Sequence, residues 1–237
     1  MIAANLSTTE IEAYTDRVAV IPLGAFEQHG PHLPLGTDAF IAEELAKIVE
    51  RNSSQNVILF PTIWFGDSIE HQGFAGTLSI PAVDMIGLLT EFFRWLEAAG
   101  FTRALLYNGH GGNIHLAAVA AEEFSRTSKL KVKSMYAYTK EVKDLSEELF
   151  AERESHAGSS ESSLLYALRP DLTPPASFAV TPTPGQGRLS LMLTKEFAPE
   201  GIIQSKSQIV IDLEKGKQLA DLMQKVAAQA VESLLSL

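Results

Sequence analysis

The sequence predicts a doubly wound α/β fold with a largely parallel central sheet. Three short apolar runs lack the polar alternation of a half-exposed strand, which indicates strands buried on both faces, at 17–24, 57–61 and 102–108. Each run is followed by a segment with apolar residues at helical spacing or with many alanines. Because strands alternate with helices, the sheet is expected to be parallel and covered by helices.

Local signals place the boundaries of these elements. Thr37 or Asp38 can cap a helix over 38–51, and Gly100 ends a second helix over 83–99. The later elements are a fourth strand, two helical segments, a proline-rich connection and a final amphipathic helix, at 130–138, 141–152, 161–167, 170–187 and 213–237.

Composition limits the class of protein. The chain has 237 residues, 46% of them hydrophobic, which suits a single domain over residues 1–237. Its formal net charge of -10 gives no support to a nucleic-acid partner or an anionic membrane partner. The acidic segment 1–17 does not resemble a signal peptide, and no apolar run approaches the length of a transmembrane helix. A cytoplasmic location is therefore expected.

Residues 27–38 hold the densest group of potential metal ligands, with two carboxylates and two imidazoles directly after the first predicted strand. The chain has no cysteine, so any metal must be bound by His, Asp or Glu. Glu27 and His29 are two residues apart and point to the same side of an extended backbone. The prolines and glycines that follow allow Asp38 to return from the start of the next helix. This pattern predicts a metal site.

Each of these three residues also has a purely structural interpretation. Asp38 could be only a helix cap, Glu27 a surface carboxylate and His29 a buried, hydrogen-bonded imidazole. All three interpretations must hold together if there is no metal site. The metal site is therefore the favoured hypothesis.

Two later turns carry further polar groups. His110 stands in the glycine-rich turn 108–113, at the end of a predicted strand, where the ligands of parallel sheets gather. The turn lacks the lysine and hydroxyl residue of a phosphate-binding loop, so nucleotide binding is not expected. In the turn 155–163, Glu161 could reach the metal while His156 faces substrate, the alternative being a solvated loop.

Three of these segments resemble the signature stretches of the creatininase (creatinine amidohydrolase) family and occur in the family's order and spacing. They are residues 27–38, 108–113 and 156–161. The loop 68–78 is similar to a fourth family segment, and within it Ser68 and His71 are candidates for the lining of the substrate pocket.

The resemblance implies a three-layer α/β/α sandwich with a binuclear metal centre, often assembled as a homohexamer. The two divalent ions would be zinc in the first instance and otherwise manganese or iron. Carried over position by position, Glu27 and His110 would hold one ion, His29 would hold the other, and Asp38 would bridge both.

The chain departs from the creatinine-hydrolysing members at the turns that shape the pocket. Their glutamate ligand is replaced by Gly112, so the resemblance implies that Glu161 supplies the missing carboxylate. Their tyrosine is replaced by Gly111, a candidate substrate contact, and no tryptophan precedes His156. The pocket is therefore expected to differ in shape, and family relatives hydrolyse formamides, small cyclic metabolites or a peptide bond.

The predicted reaction is hydrolysis of a non-peptide C–N bond in a small amide, cyclic or open-chain. Two ions that share a water lower its pKa towards neutrality, so that it can attack the carbonyl. His156 and Glu161 are the expected catalytic residues, with His156 passing a proton to the leaving nitrogen, and His32 would orient a ligand or bind substrate. The alternative is a metal-binding scaffold without turnover.

Overall fold

A four-stranded parallel sheet forms the centre of the fold. The computed structural model describes residues 1–152, 156–172, 177–183 and 192–237. The strands of the sheet are β1 (Val18–Leu23), β2 (Val57–Leu59), β3 (Arg103–Asn108) and β4 (Lys131–Tyr136). They lie in the order β2-β1-β3-β4, and every neighbouring pair is parallel. Two short strands, β5 (Ser177–Ala179) and β6 (Gln208–Val210), form a separate antiparallel pair.

Helices connect the strands. In chain order they are α1 (Thr8–Ile11), α2 (Thr37–Asn52), α3 (Ala82–Ala98), α4 (Ile114–Thr127), α5 (Lys140–Phe150), α6 (Ser159–Leu168), α7 (Thr194–Phe197) and α8 (Leu213–Leu235). Within the described ranges, no helix combines the length and the apolar composition that crossing a membrane requires.

These helices cover both faces of the sheet, which confirms the predicted three-layer α/β/α fold. Val18 and Val20 of β1 pack in the cluster that contains α2, α6 and α8. Ala19 and Ile21 of the same strand pack in the cluster formed with α3 and α4. Successive strand residues point to opposite faces, so a strand covered on both sides must be apolar at every position.

The predicted strands and long helices are confirmed, with differences at their ends. The fourth strand is shorter than the predicted 130–138 and ends at Tyr136. The pairing of β5 with β6 was not predicted, because each strand has only three residues and β5 lies in the proline-rich stretch. Within that stretch, 173–176 and 184–187 lie outside the described residues.

The strand order creates a crevice at the carboxyl edge of the sheet. From β1 the chain passes through α2 to β2 on one side, and from β3 it passes through α4 to β4 on the other. The two connections thus run in opposite directions from the centre of the sheet, and such a reversal of direction opens a binding crevice beyond the strand ends. Leu23 and Asn108 pair at that edge, so the segments that follow β1 and β3 meet there.

Close packing of α8 holds α6 against this crevice. A Cβ atom on Gly216 of α8 would lie 2.0 Å from the carbonyl oxygen of Ser163 in α6. The side chain of Ser163 also accepts a hydrogen bond of 2.9 Å from the amide of Asp212. Because Glu161 lies in the first turn of α6, its position depends on this packing.

Two glycine-to-alanine substitutions should have opposite effects on stability. Gly216→Ala should lower the free energy of unfolding by about 1–3 kcal/mol, because the added methyl group overlaps backbone atoms. Gly87→Ala, on α3, meets no atom within 4 Å. It should raise stability by about 0.5–1 kcal/mol through helix propensity. Urea denaturation of both variants tests this, and a neutral Gly216→Ala would contradict the close packing of α6 on α8.

Candidate metal centre

The polar residues that follow β1 and β3 form one buried cluster at the carboxyl edge of the sheet. Glu27 and His29 are 0% exposed, and Asp38 and His110 are 3% exposed. Glu161, from the first turn of α6, is 8% exposed and joins them. Segments distant in sequence therefore meet at one site.

The cluster contains two groups of ligand atoms that share Asp38. In one group, His110 Nδ1 lies 3.0 Å from Asp38 Oδ2 and His110 Nε2 lies 3.4 Å from Glu27 Oε2. In the other, His29 Nε2 lies 3.4 Å from Asp38 Oδ1 and 3.9 Å from Glu161 Oε1. Within each group the candidate ligand atoms are within 4.8 Å of one another. The grouping is the one that the resemblance implies, while the metal-binding roles stay a prediction.

Backbone carbonyls orient both imidazoles. His29 Nδ1 donates to the carbonyl oxygen of Glu27 at 3.2 Å, and His110 Nε2 donates to that of Asp67 at 2.9 Å. A histidine that binds a metal usually holds its other ring nitrogen in this way. His29 is therefore set to offer Nε2 and His110 to offer Nδ1.

The buried ionisable groups of the cluster shift one another's pKa values. Burial alone would lower the pKa values of His29 and His110, but the surrounding carboxylates outweigh it and raise each to about 10. Burial would raise the pKa of Asp38, but these two imidazoles hold it below its usual value. Burial would also raise the pKa of Glu27, but the charge of His110 helps to hold that pKa below its usual value. At Glu161 burial is the stronger effect, and it raises the pKa.

Several atoms of the cluster lack a hydrogen bond within the described residues. They are both carboxylate oxygens of Glu27, His29 Nε2 and Asp38 Oδ2, and all are buried. Buried polar atoms in proteins almost always have a partner, and buried carboxylates need a neutralising charge. Imidazole nitrogens and carboxylate oxygens suit divalent ions such as zinc and manganese. The residues present therefore fit a divalent metal and could hold one.

Two more imidazoles lie against Glu27. The rings of His71 and His156 stack with centroids 4.2 Å apart. His71 Nε2 lies 3.2 Å and His156 Nδ1 3.8 Å from Glu27 Oε1. Glu27, His29 and His156 also form a third group of possible ligands. His71, a weak candidate from sequence, is thus fully buried at the centre of the site.

The other predicted site residues lie around this cluster. His32 Nε2 is 2.9 Å from Ser162 Oγ, and the His32 ring contacts Phe178 with centroids 4.4 Å apart. Ser68 is buried, and Gly111 accepts a turn hydrogen bond from the amide of Ile114. Substrate binding by these residues stays a prediction. The segment 153–155, part of the stretch without tryptophan before His156, lies outside the described residues.

The local backbone leaves no room for a side chain at Gly112, in the turn after β3, whereas α6 brings the carboxylate of Glu161 into the cluster. A Cβ atom at Gly112 would lie 2.1 Å from the carbonyl oxygen of Asp67, so this backbone accepts no side chain there. Glu161 instead receives a hydrogen bond of 2.7 Å from the amide of Ala157 and one of 3.3 Å from Tyr138. Ala157 has a φ of 54°, in the left-handed region that alanine rarely adopts. The turn before α6 is thus bent so that its amide meets Glu161.

Two buried side-chain amides, those of Asn113 and Gln28, were not predicted from the sequence. Asn113 donates to the carbonyl oxygen of Gly24 at 2.9 Å and accepts from the amide of Asp67 at 3.0 Å, which joins three segments at the site. Asn113 stands at the N-cap of α4, yet its side chain makes no capping hydrogen bond there. Gln28 contacts both His71 and His156. It lies between two predicted ligands, and no sequence pattern points to these contacts.

Solved structures share this fold. A structure of creatinine amidohydrolase superposes with a TM-score of 0.82 and 22% identity, over 98% of this chain and 96% of the other. A structure described as creatininase Mn gives a TM-score of 0.80 and 23% identity over 98% of each chain. At these identities the likeness shows the fold alone.

Sequence relatives extend the likeness. The mycofactocin precursor peptide peptidase of Mycobacterium tuberculosis is 45% identical over 104 residues, 40% of this chain and 41% of that protein. This chain therefore spans about two fifths of the length of that relative. The creatinine amidohydrolase of Pseudomonas putida is 28% identical over 224 residues, 78% of this chain and 85% of that protein. The sequence model of the creatininase family, described as creatinine amidohydrolase, matches residues 4–231. With nearly its whole length matched, the chain belongs to the creatininase family.

Proposed function

We propose that this protein is a metal-dependent hydrolase that cleaves a non-peptide C–N bond in a small amide, cyclic or open-chain. The observation that carries the proposal is the set of buried ligand atoms around Asp38 that have no hydrogen bond within the described residues. Membership in the creatininase family supports it. The same ligands would suit a formamide or another small metabolite, because they contact the reacting carbonyl rather than the rest of the substrate.

We propose that two divalent ions bind in the cluster. Glu27, Asp38 and His110 would hold one, and His29, Asp38 and Glu161 would hold the other. Zinc is the first choice because it readily accepts imidazole and carboxylate ligands, with manganese or iron as alternatives. Structures described as creatininase Mn and as a Zn-Zn type of a creatininase variant support these choices.

Different residues of the chain would have different roles in the reaction. When bound, the ions would supply a water activated near neutral pH and would polarise the amide carbonyl. His156 Nδ1 would take the proton of the attacking water and pass it to the leaving nitrogen. The hydrogen bonds from Tyr138 and Ala157 would hold Glu161 in its catalytic position. The substrate would contact His32, Ser68, His71 and Gly111.

A peptide bond is the second candidate target. It is favoured by the identity of 45% with the mycofactocin precursor peptide peptidase over 104 residues. A homohexamer in the cytoplasm is what the resemblance and the composition predict for the assembly and its location.

Hydrolysis assays with the zinc-loaded protein test the proposal. The substrates are creatinine, hydantoins, formamides, lactones and short peptides. Turnover of a non-peptide amide is expected, and it should be lost on chelation and regained when zinc is added. Turnover of peptides alone would favour the second candidate. A protein that binds zinc and hydrolyses none of them would be the scaffold.

Asp38→Ala should remove most of the bound metal, because Asp38 belongs to both groups of ligands. Asp84→Ala is a matched control: Asp84 also lies in the first turn of a helix but is exposed, in α3. Metal content measured by mass spectrometry should fall in the first variant and stay at the wild-type level in the second. Full metal content in Asp38→Ala would sink the assignment of a bridging ligand.

Metal binding at neutral pH should release about two protons, because His29 and His110 must deprotonate before they can bind an ion. Their raised pKa values of about 10 mean that both are protonated at neutral pH in the metal-free protein. The apparent affinity for zinc should therefore rise with pH up to that value. Calorimetric titrations in two buffers with different ionisation enthalpies count the protons, and zinc binding without proton release would contradict the assigned ligands.

A further inference from the structure

Asn113 is a buried side chain whose amide group is bonded on every side. It is 0% exposed. Its Nδ2 atom donates to the carbonyl oxygen of Gly24 at 2.9 Å and to Asn108 Oδ1 at 3.3 Å. Its Oδ1 atom accepts from the amide of Asp67 at 3.0 Å. Both hydrogens and the oxygen of the amide therefore have partners, and these partners come from three separate segments.

Two of the partners fix the orientation of this amide. The carbonyl of Gly24 can only accept a hydrogen bond, so the atom beside it must be the nitrogen of Asn113. The backbone amide of Asp67 can only donate, so the atom beside it must be the oxygen. The amide of Asn113 therefore has a single orientation that satisfies its surroundings.

One route leads from Asn113 to the ring of His110. Asn113 holds the amide of Asp67, and the carbonyl oxygen of Asp67 accepts from His110 Nε2 at 2.9 Å. The opposite ring nitrogen, Nδ1, faces Asp38 Oδ2 at 3.0 Å. The direction of His110 Nδ1 therefore depends on the position of the Asp67 carbonyl.

A second route leads from Asn113 to the main chain of His110. Asn108 Oδ1 accepts from the amide of His110 at 3.0 Å, and Asn108 Nδ2 donates to the carbonyl oxygen of His110 at 2.8 Å. The same Oδ1 atom accepts from Asn113. The side chain of Asn108 thus holds both main-chain groups of His110, and Asn113 holds the side chain of Asn108.

The backbone around Asn113 is closely packed. A Cβ atom on Gly66 would lie 2.5 Å from Asn113 Oδ1 and 2.9 Å from the carbonyl oxygen of Gly24. A Cβ atom on Gly112 would lie 2.1 Å from the carbonyl oxygen of Asp67. These segments can approach one another only because both positions are glycine, and Asn113 fills the space between them.

We propose that Asn113 is a positioning residue that fixes both the ring and the main chain of His110, so that His110 Nδ1 is held where an ion would bind. Asn113 acts through Asp67 and Asn108 and does not contact the ring itself. The inference rests on the proposed metal centre. Loss of a group that orients a metal-binding histidine typically lowers metal affinity about 10- to 100-fold, and Asn113→Ala should do the same for zinc.

Proton nuclear magnetic resonance of the full chain loaded with cobalt(II) tests this role. Cobalt(II) is paramagnetic, so the ring N–H signals of the histidines that bind it are shifted away from all others. In the wild type, the ring N–H groups of His29 and His110 should both be visible, because carbonyl oxygens protect them from exchange with water. In Asn113→Ala one signal should be lost through fast exchange. The other is an internal control, because His29 donates to the carbonyl of Glu27, which Asn113 does not touch.

Ser125→Ala is the matched control. Ser125 lies at the other end of α4, and its hydroxyl oxygen accepts from the amide of Val132 at 2.9 Å, as Asn113 accepts from that of Asp67. This variant should keep both signals and the wild-type affinity for zinc. A folded Asn113→Ala with both signals and wild-type affinity would overturn the proposal. So would the same losses in Ser125→Ala, since they would show a general loosening of α4.

Gly66→Ala covers the case in which Asn113→Ala does not fold. Its methyl group would displace the Asn113 amide, so it should also lose one ring signal, whereas Gly87→Ala should keep both. A folded Gly66→Ala with both signals would overturn the proposal. A wild type without shifted ring signals would overturn the proposed metal centre and this inference together. If the wild type shows both signals but hydrolyses no substrate, the proposed hydrolase activity fails and the positioning role stands.

Discussion

The burial of many ionisable side chains in one place is the constraint on which the rest of this structure depends. Three carboxylates, Glu27, Asp38 and Glu161, share one buried space with His29 and His110. Burying an unpaired charge costs several kcal/mol even after relaxation. The protein therefore gathers these groups where a cation can neutralise them. The strand order brings the segments after β1 and β3 together, and the packing of α6 on α8 adds the third carboxylate.

Backbone groups orient much of the site. His29 and His110 donate to main-chain carbonyls, and Glu161 accepts from the main-chain amide of Ala157. Such contacts are independent of the side chain on the partner residue. Side-chain contacts such as those of Gln28 do depend on which residue is present, because one substitution removes them.

Local sequence patterns predict the strands and part of the site, whereas features that depend on long-range contacts escape them. Apolar runs locate the parallel strands, and the spacing of Glu27 and His29 places two candidate ligands on one side of the backbone. The β5–β6 pair was missed because three-residue strands have too little periodicity to detect. Gln28 was missed because its partners His71 and His156 are 43 and 128 positions away, a distance over which no local pattern carries information.

The tight contact between α6 and α8 also bears on the order of events during protein synthesis. Helix α8 follows α6 by more than forty residues, so it leaves the ribosome after the segment that carries Glu161. Until α8 emerges, nothing at Gly216 can press on Ser163 and fix the start of α6. The nascent chain therefore exposes Glu27, His29, Asp38 and His110 before the last carboxylate is secured. For a metal bound as proposed, stable loading therefore has to wait until α8 has packed on α6.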